Sequence, residues 1–233
     1  MPEAVRSEAP EPAGEPWPAN AAFGAAGLTI AGVTAEELAA AYGTPLLVVD
    51  EDDLRARCRA MRARFPRVLY AVKAFTSHAV LRIAVEEGLD LLVASGGELE
   101  AALRAGVPGP RIAMHGNNKS DDELAAAVAA RVSFVVVDHT GELDRLDAAA
   151  GEAGAVQDVL IRAIPGVDSD THPSIATGHA GWTFGMPPAE AVRAAERIAE
   201  LPALRFAGVH APRVLQPGAE ERVVLRHVGR VVR

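Results

Sequence analysis

Cysteine is almost absent from this chain: among 233 residues there is one, Cys58. No internal disulfide is possible, so a reducing, cytoplasmic setting is the expected localisation. Cys58 stands in an Arg-rich helical stretch and reads as a bystander rather than a nucleophile. Positive charge is also short. The 23 basic against 31 acidic residues give a net charge of −8 and argue against nucleic acid or an anionic membrane as the main partner. No apolar run reaches the ~18 residues that a membrane helix needs. The opening MPEAVRSEAPEPAGEPWPAN is acidic and proline-rich where a signal peptide is basic and then apolar. Too little of it can be buried to order it. Residues 1–42 are therefore expected as a disordered tail with a short lead-in helix, and residues 43–233 as the folded part.

Lysine is scarcer than any other charged residue. It occurs at Lys73 and Lys119, and every other basic residue is Arg. In such a chain a Lys points to a task that Arg cannot perform, because Lys can shed its proton and act as a nucleophile.

What the chain does have, after residue 42, is an alternation of short aliphatic runs and longer amphipathic ones. The aliphatic runs are Pro45–Asp50, Val68–Lys73, Leu89–Val93, Arg111–His115, Phe134–Asp138, Val156–Arg162 and Leu204–His210. Their aliphatic and β-branched content, without strict alternation, is how parallel strands covered on both faces read. Between them, stretches such as SGGELEAALRAG and KSDDELAAAVAAR repeat apolar residues at helical spacing. Ser95-Gly-Gly-Glu98 and Ser120-Asp-Asp-Glu123 match the capping box, and Gly88 and Gly106 stand as helix stops. Repeated strand–helix units predict an α/β parallel sheet. There is no convincing G-x-G-x-x-G after the first strand, and the polar residues gather after the strands, the usual arrangement of a TIM barrel. About six barrel strands can be counted from Val68, and a closed barrel needs eight. The expectation is an incomplete TIM-type barrel, preceded by a strand–helix pair over Pro45–Arg64, whose open edges carry unpaired backbone groups.

Several residues are candidates for chemistry. In Tyr70-Ala-Val-Lys-Ala74, strand alternation puts Ala71 and Lys73 on one face. If that face points into the barrel, the ammonium loses hydration and its proton affinity falls, which suits an amine that condenses with an aldehyde. The other reading is a lysine at a strand end with its head in solvent. Arg162, inside an aliphatic strand, needs an anionic partner or a wet cavity, unless it snorkels to water. Glu98 closes a helix cap, while Ser95-Gly-Gly is also able to present free N–H groups to an anion. His115, Asn117 and Asn118 are placed to line a site, with Ser120 capping a helix. Asp168, Asp170 and His172 have metal-ligand types, but no second cluster joins them; a solvated loop, and no metal, is expected there.

Taken in order, these segments resemble the fold-type III pyridoxal-phosphate decarboxylases, and among them the diaminopimelate decarboxylases best. The resemblance is carried by Tyr70-Ala-Val-Lys-Ala74, Ser95-Gly-Gly-Glu-Leu99, His115-Gly-Asn-Asn-Lys-Ser120, Arg162 and Pro165-Gly-Val-Asp168. It continues through His172, Ser174-Ile-Ala-Thr-Gly178 and Phe184-Gly185, and runs from about Pro45 to His210. It implies that Lys73 carries pyridoxal 5′-phosphate, that Glu98 and Arg162 lie near the cofactor, and that His115, Asn117 and His210 line the same cavity. The implied reaction is α-decarboxylation of meso-diaminopimelate to lysine, with the cofactor as electron sink. The implied partners are a small amino-acid substrate and, in the intact family, a second copy in a homodimer.

The sequence also departs from the family pattern. Leu92 stands where the family usually has Asp, and Thr183 where it has Lys. A family His-x-His-Ile-Gly-Ser strand end reads His210-Ala211-Pro212-Arg213-Val214 here. With the end at Arg233, the resemblance leaves the glycine-rich phosphate loop and the C-terminal β-domain unaccounted for. Little or no turnover is therefore expected of the chain alone. The alternatives are a non-catalytic homologue that binds a decarboxylase subunit or a metabolite, and a gene-model fragment.

Overall fold

The structure, a computed structural model, describes residues 17–25, 27–164 and 184–211. Pro165–Asp168, Asp170, His172, Ser174–Gly178, Thr183 and Pro212–Val214 lie outside the described residues. The described residues divide into two units, one running to Val68 and including Glu86–Gly88, the other formed by the remainder.

The first unit opens with three short antiparallel strands, β1 (Ala21–Gly24), β2 (Gly27–Ile30) and β3 (Val33–Thr34). The β2–β3 turn uses positive φ at Ala31 and Gly32. This sheet lies inside the span expected to hold a tail and a helix. Its runs of two to four residues are too short to produce an alternation that can be read from sequence. Helix α1 (Ala35–Tyr42) follows, closed by a Thr34–Glu37 capping box. Helix α2 (Glu51–Arg64) starts at Asp50, whose carboxylate accepts from the Asp53 N–H, and carries acids in its first turn and Arg62 and Arg64 in its last, in line with the helix dipole. Cys58 is buried on α2, and burial pushes its thiol up, the setting of an inert cysteine.

One expected strand is missing. Pro45–Val49 forms no ladder among the described residues, and Leu47 is 74% exposed. Its composition is that of the other aliphatic runs, but a strand exists only where a neighbour supplies hydrogen bonds, and the parallel sheet begins later, at Leu69.

The second unit is a six-stranded parallel sheet in sequential order: β4 (Leu69–Ala71), β5 (Asp90–Val93), β6 (Ile112–Met114), β7 (Phe134–Val137), β8 (Gln157–Arg162) and β9 (Leu204–His210). Each successive pair is parallel. Helices α3 (His78–Glu86), α4 (Gly96–Arg104), α5 (Asp121–Ala129), α6 (Gly141–Glu152) and α7 (Pro188–Ile198) fill the connections. This is the incomplete barrel expected from the aliphatic runs. The core sits on the central strands, where Ile112, Ala113, Met114, Val135 and Val137 are fully buried. On β8 the burial alternates: Val159 and Ile161 are covered, while Leu160 and Arg162 are half-buried on the opposite face. Helix α7 packs against β8 and β9.

Candidate active site

The C-terminal ends of the strands bring four of the expected residues together: Lys73, His115, Arg162 and His210. The pairing register sets Arg162 directly opposite His210, after a bulge at Val159/Leu160 that shifts the ladder by one residue, a device that re-aims side chains. His115 follows β6, its N–H bonded to Val93 O at 2.8 Å. The His115 and His210 rings lie with centroids 6.4 Å apart, tilted by 52°. Arg162 Nη1 donates to Asp138 Oδ1 at 2.9 Å, and its guanidinium carbon stands 5.4 Å from the Phe184 ring centroid. The anionic partner that a strand-borne arginine requires is therefore Asp138.

Electrostatics binds the group. Burial pushes the His115 imidazole down to about 4, helped by the His210 ring and by the charges of Lys73, Arg162 and Lys119. Burial likewise lowers His210, with Arg162 adding and Asp138 opposing. Both rings are therefore neutral at neutral pH. Three buried polar atoms in this cluster have no hydrogen-bond partner among the described residues: His115 Nε2, His210 Nδ1 and Arg162 Nε. Such atoms are costly unless something satisfies them.

Of the two readings of Lys73, the exposed one agrees with the structure. Strand β4 stops at Ala71, and Val72–Ala74 form a 3₁₀ turn. The turn ends the two-residue alternation, so Val72 becomes the buried residue and Lys73 is exposed. Lys73 is nevertheless close enough for its charge to act on His115.

Glu98 belongs to the capping reading. Its N–H donates to Ser95 Oγ at 3.3 Å, and its Oε2 accepts from the Ala94 N–H at 2.8 Å. Glu123, capping α5 through the Ser120 N–H, also takes the Gly96 N–H at 2.7 Å, and these bonds hold its carboxyl below the usual range. The Gly96 N–H is thus committed to a carboxylate instead of a bound anion. Asn117 and Asn118 are exposed on the loop after β6, Asn118 at φ +53°. The sequence reading missed Glu142, a fully buried acid at the start of α6 whose type and place suggest only a helix-start charge.

Gly116 holds the turn after His115 at φ +103°, and a Cβ there would come within 2.7 Å of Ala94 O. Gly116→Ala is expected to cost about 2 kcal/mol, from the left-handed backbone and the backbone clash together. A chemical-denaturation midpoint equal to that of the unchanged chain would contradict this.

The model of the family described as "Pyridoxal-dependent decarboxylase, pyridoxal binding domain" matches residues 51–211. The chain belongs to that family. Among similar proteins, the diaminopimelate decarboxylase of Mycobacterium tuberculosis (strain ATCC 25618 / H37Rv) is 49% identical over 200 residues, covering 83% of this chain and 45% of the relative. That of Bacillus subtilis (strain 168) is 42% identical over 191 residues, 78% of this chain and 44% of the relative. Among solved structures, the diaminopimelate decarboxylase of M. jannaschii in complex with L-lysine superposes with a TM-score of 0.75 at 28% identity, over 86% of this chain and 49% of that one. The chain thus spans less than half the length of the curated relatives it matches. No helix among the described residues is long and apolar enough to cross a membrane.

Proposed function

We infer that the chain holds pyridoxal 5′-phosphate on Lys73 and serves the decarboxylation of a small amino acid, meso-diaminopimelate in the first instance. The observation that carries this reading is the set of three unpaired buried polar atoms, His115 Nε2, His210 Nδ1 and Arg162 Nε, beside an accessible amine. A ring with several hydrogen-bonding positions and a negative charge is the kind of group that such a set fits.

In this reading Lys73 Nζ would be the nucleophile that tethers the aldehyde, and the amine freed when the substrate's own amine replaces it would be placed to deliver a proton to the carbon that CO₂ leaves. When bound, the cofactor supplies the electron sink for the charge left at that carbon. Arg162 offers a fixed cation whose orientation Asp138 sets through a charge-assisted hydrogen bond. The neutral His115 and His210 rings form an uncharged wall that excludes water without adding repulsion to the neighbouring cations. Glu98 and Asn117 keep supporting places, in the cap after β5 and on the loop after β6. The substrate preference rests on the diaminopimelate decarboxylase relatives, the fold-level chemistry on the family; a homodimer and a cytoplasmic setting complete the proposal.

Titration of the purified chain with pyridoxal phosphate tests the reading. An absorbance band near the edge of the visible is expected, and it is expected to shift when meso-diaminopimelate is added. A chain that develops no such band at saturating pyridoxal phosphate would sink the assignment.

A further inference from the structure

Beneath the cluster lies a second layer of charge that the reading above does not use. Lys119 and Glu142 are 2% and 0% exposed, and Lys119 Nζ sits 2.8 Å from Glu142 Oε1 as a charge contact rather than an aligned hydrogen bond. The ammonium also donates to Gly116 O at 2.6 Å and to Val136 O at 2.8 Å. Two of its three protons are thereby hydrogen-bonded, and the Glu142 carboxylate balances its charge. Glu142 Oε2 accepts from the Asp138 N–H at 3.1 Å. Each member of the pair therefore grips the backbone beside a wall residue. Lys119 holds the carbonyl that follows His115, and Glu142 holds the amide of the residue whose carboxylate holds Arg162.

A buried ion pair is weak evidence of stabilisation, since apolar replacements of similar volume are often neutral or better. The pair has a geometric correlate here: of its three backbone contacts, one is to the carbonyl next to His115 and one is to the amide of Asp138 itself. We propose that Lys119 and Glu142 are positioning residues, a buried clamp that fixes His115 and the Asp138–Arg162 pair for cofactor binding. This rests on the pyridoxal phosphate reading. It also gives the second lysine a task that suits a compact ammonium, three donors on a thin stem, better than a planar guanidinium.

The clamp makes stability and cofactor affinity part company. Lys119→Met/Glu142→Leu removes both charges together, so no buried ion is stranded and the melting temperature falls only through the partners lost by the Gly116 and Val136 carbonyls and the Asp138 amide. Glu142→Gln keeps an acceptor for the Asp138 N–H but leaves the Lys119 charge uncompensated, so it melts lower than the double variant. Pyridoxal phosphate affinity, followed by absorbance, is expected in the reverse order, the double variant binding about tenfold more weakly than Glu142→Gln, as for the loss of a buried hydrogen bond. Affinity that follows melting order would overturn the proposal.

Two further measurements keep the test decisive. If the double variant does not fold, Glu142→Ala replaces it: both single variants strand the lysine, and only Gln keeps the acceptor. Equal affinity of Ala and Gln variants would overturn the clamp. In the cofactor-free chain, the Arg162 Nε–H cross-peak, identified by its absence from Arg162→Lys, is expected to be sharp in the unchanged chain and in Glu142→Gln, and lost to exchange in the double variant or Glu142→Ala. Its persistence in the latter overturns the clamp whatever the cofactor does. An unchanged chain that takes up no pyridoxal phosphate sinks the functional reading, and the cross-peak still decides on the clamp.

Discussion

Replacing Lys73 with alanine is expected to abolish the pyridoxal phosphate absorbance band completely, and replacing it with arginine is expected to do the same. The two variants separate charge from nucleophilicity. Alanine removes both the cation and the amine, whereas arginine keeps a cation beside His115 but stays protonated and cannot attack an aldehyde. If the amine is the essential feature, both lose the band. If the site needs only a positive charge at that position, arginine retains it. The structure supplies the internal control. Lys119, the other lysine of the chain, is buried, with its ammonium committed to Gly116 O, Val136 O and Glu142. Borohydride treatment of the loaded chain followed by peptide mass mapping is accordingly expected to place the adduct on Lys73, with Lys119 unmodified. An adduct on Lys119 with Lys73 intact would exclude the assignment.

The parallel sheet was readable because its strands are bounded aliphatic runs that only burial on both faces explains. The run Leu204–His210 matches β9 residue for residue, and Phe134–Asp138 overshoots β7 by one. Pro45–Asp50 has the same composition and forms no strand, because pairing is a property of the neighbour, which local sequence does not encode. The helix starts at Ser95 and Ser120 were readable for a local reason: a cap is closed within four residues. Even there a non-local partner intervened, since Glu123 serves its own cap and also the Gly96 N–H of the preceding unit. In the site, residue types announced Arg162 and Lys73, but not their surroundings. That Arg162 would find Asp138, 24 positions away, follows from the β7–β8 adjacency, and that Lys73 would leave the strand follows from a 3₁₀ turn that its neighbours Val72 and Ala74 do not signal. Glu142 was invisible because an acid in a first helical turn is ordinarily solvated; only the fold turns it inward to meet Lys119.

Acid should unfold this chain through the site before it titrates most of the surface. The His115 imidazole is held at about 4 against an ordinary 6.5, chiefly by burial, so the folded state resists the proton that the unfolded state accepts. The unfolded chain then binds more protons between those two values, and stability rises with pH across that window. It is fully present above about pH 6.5 and declines as the pH falls towards 4, by up to about 3 kcal/mol for this one ring. His210 is lowered for the same first reason and pulls in the same direction. Urea midpoints measured from pH 7 to pH 4 are expected to fall steeply for the unchanged chain and distinctly less for His115→Asn, which has no proton to gain. Parallel curves for the two would mean that His115 is hydrated and protonates freely. In that case its ring nitrogen is not a buried group awaiting a ligand, and the wall loses the neutral ring that keeps Lys73 and Arg162 from facing a third positive charge.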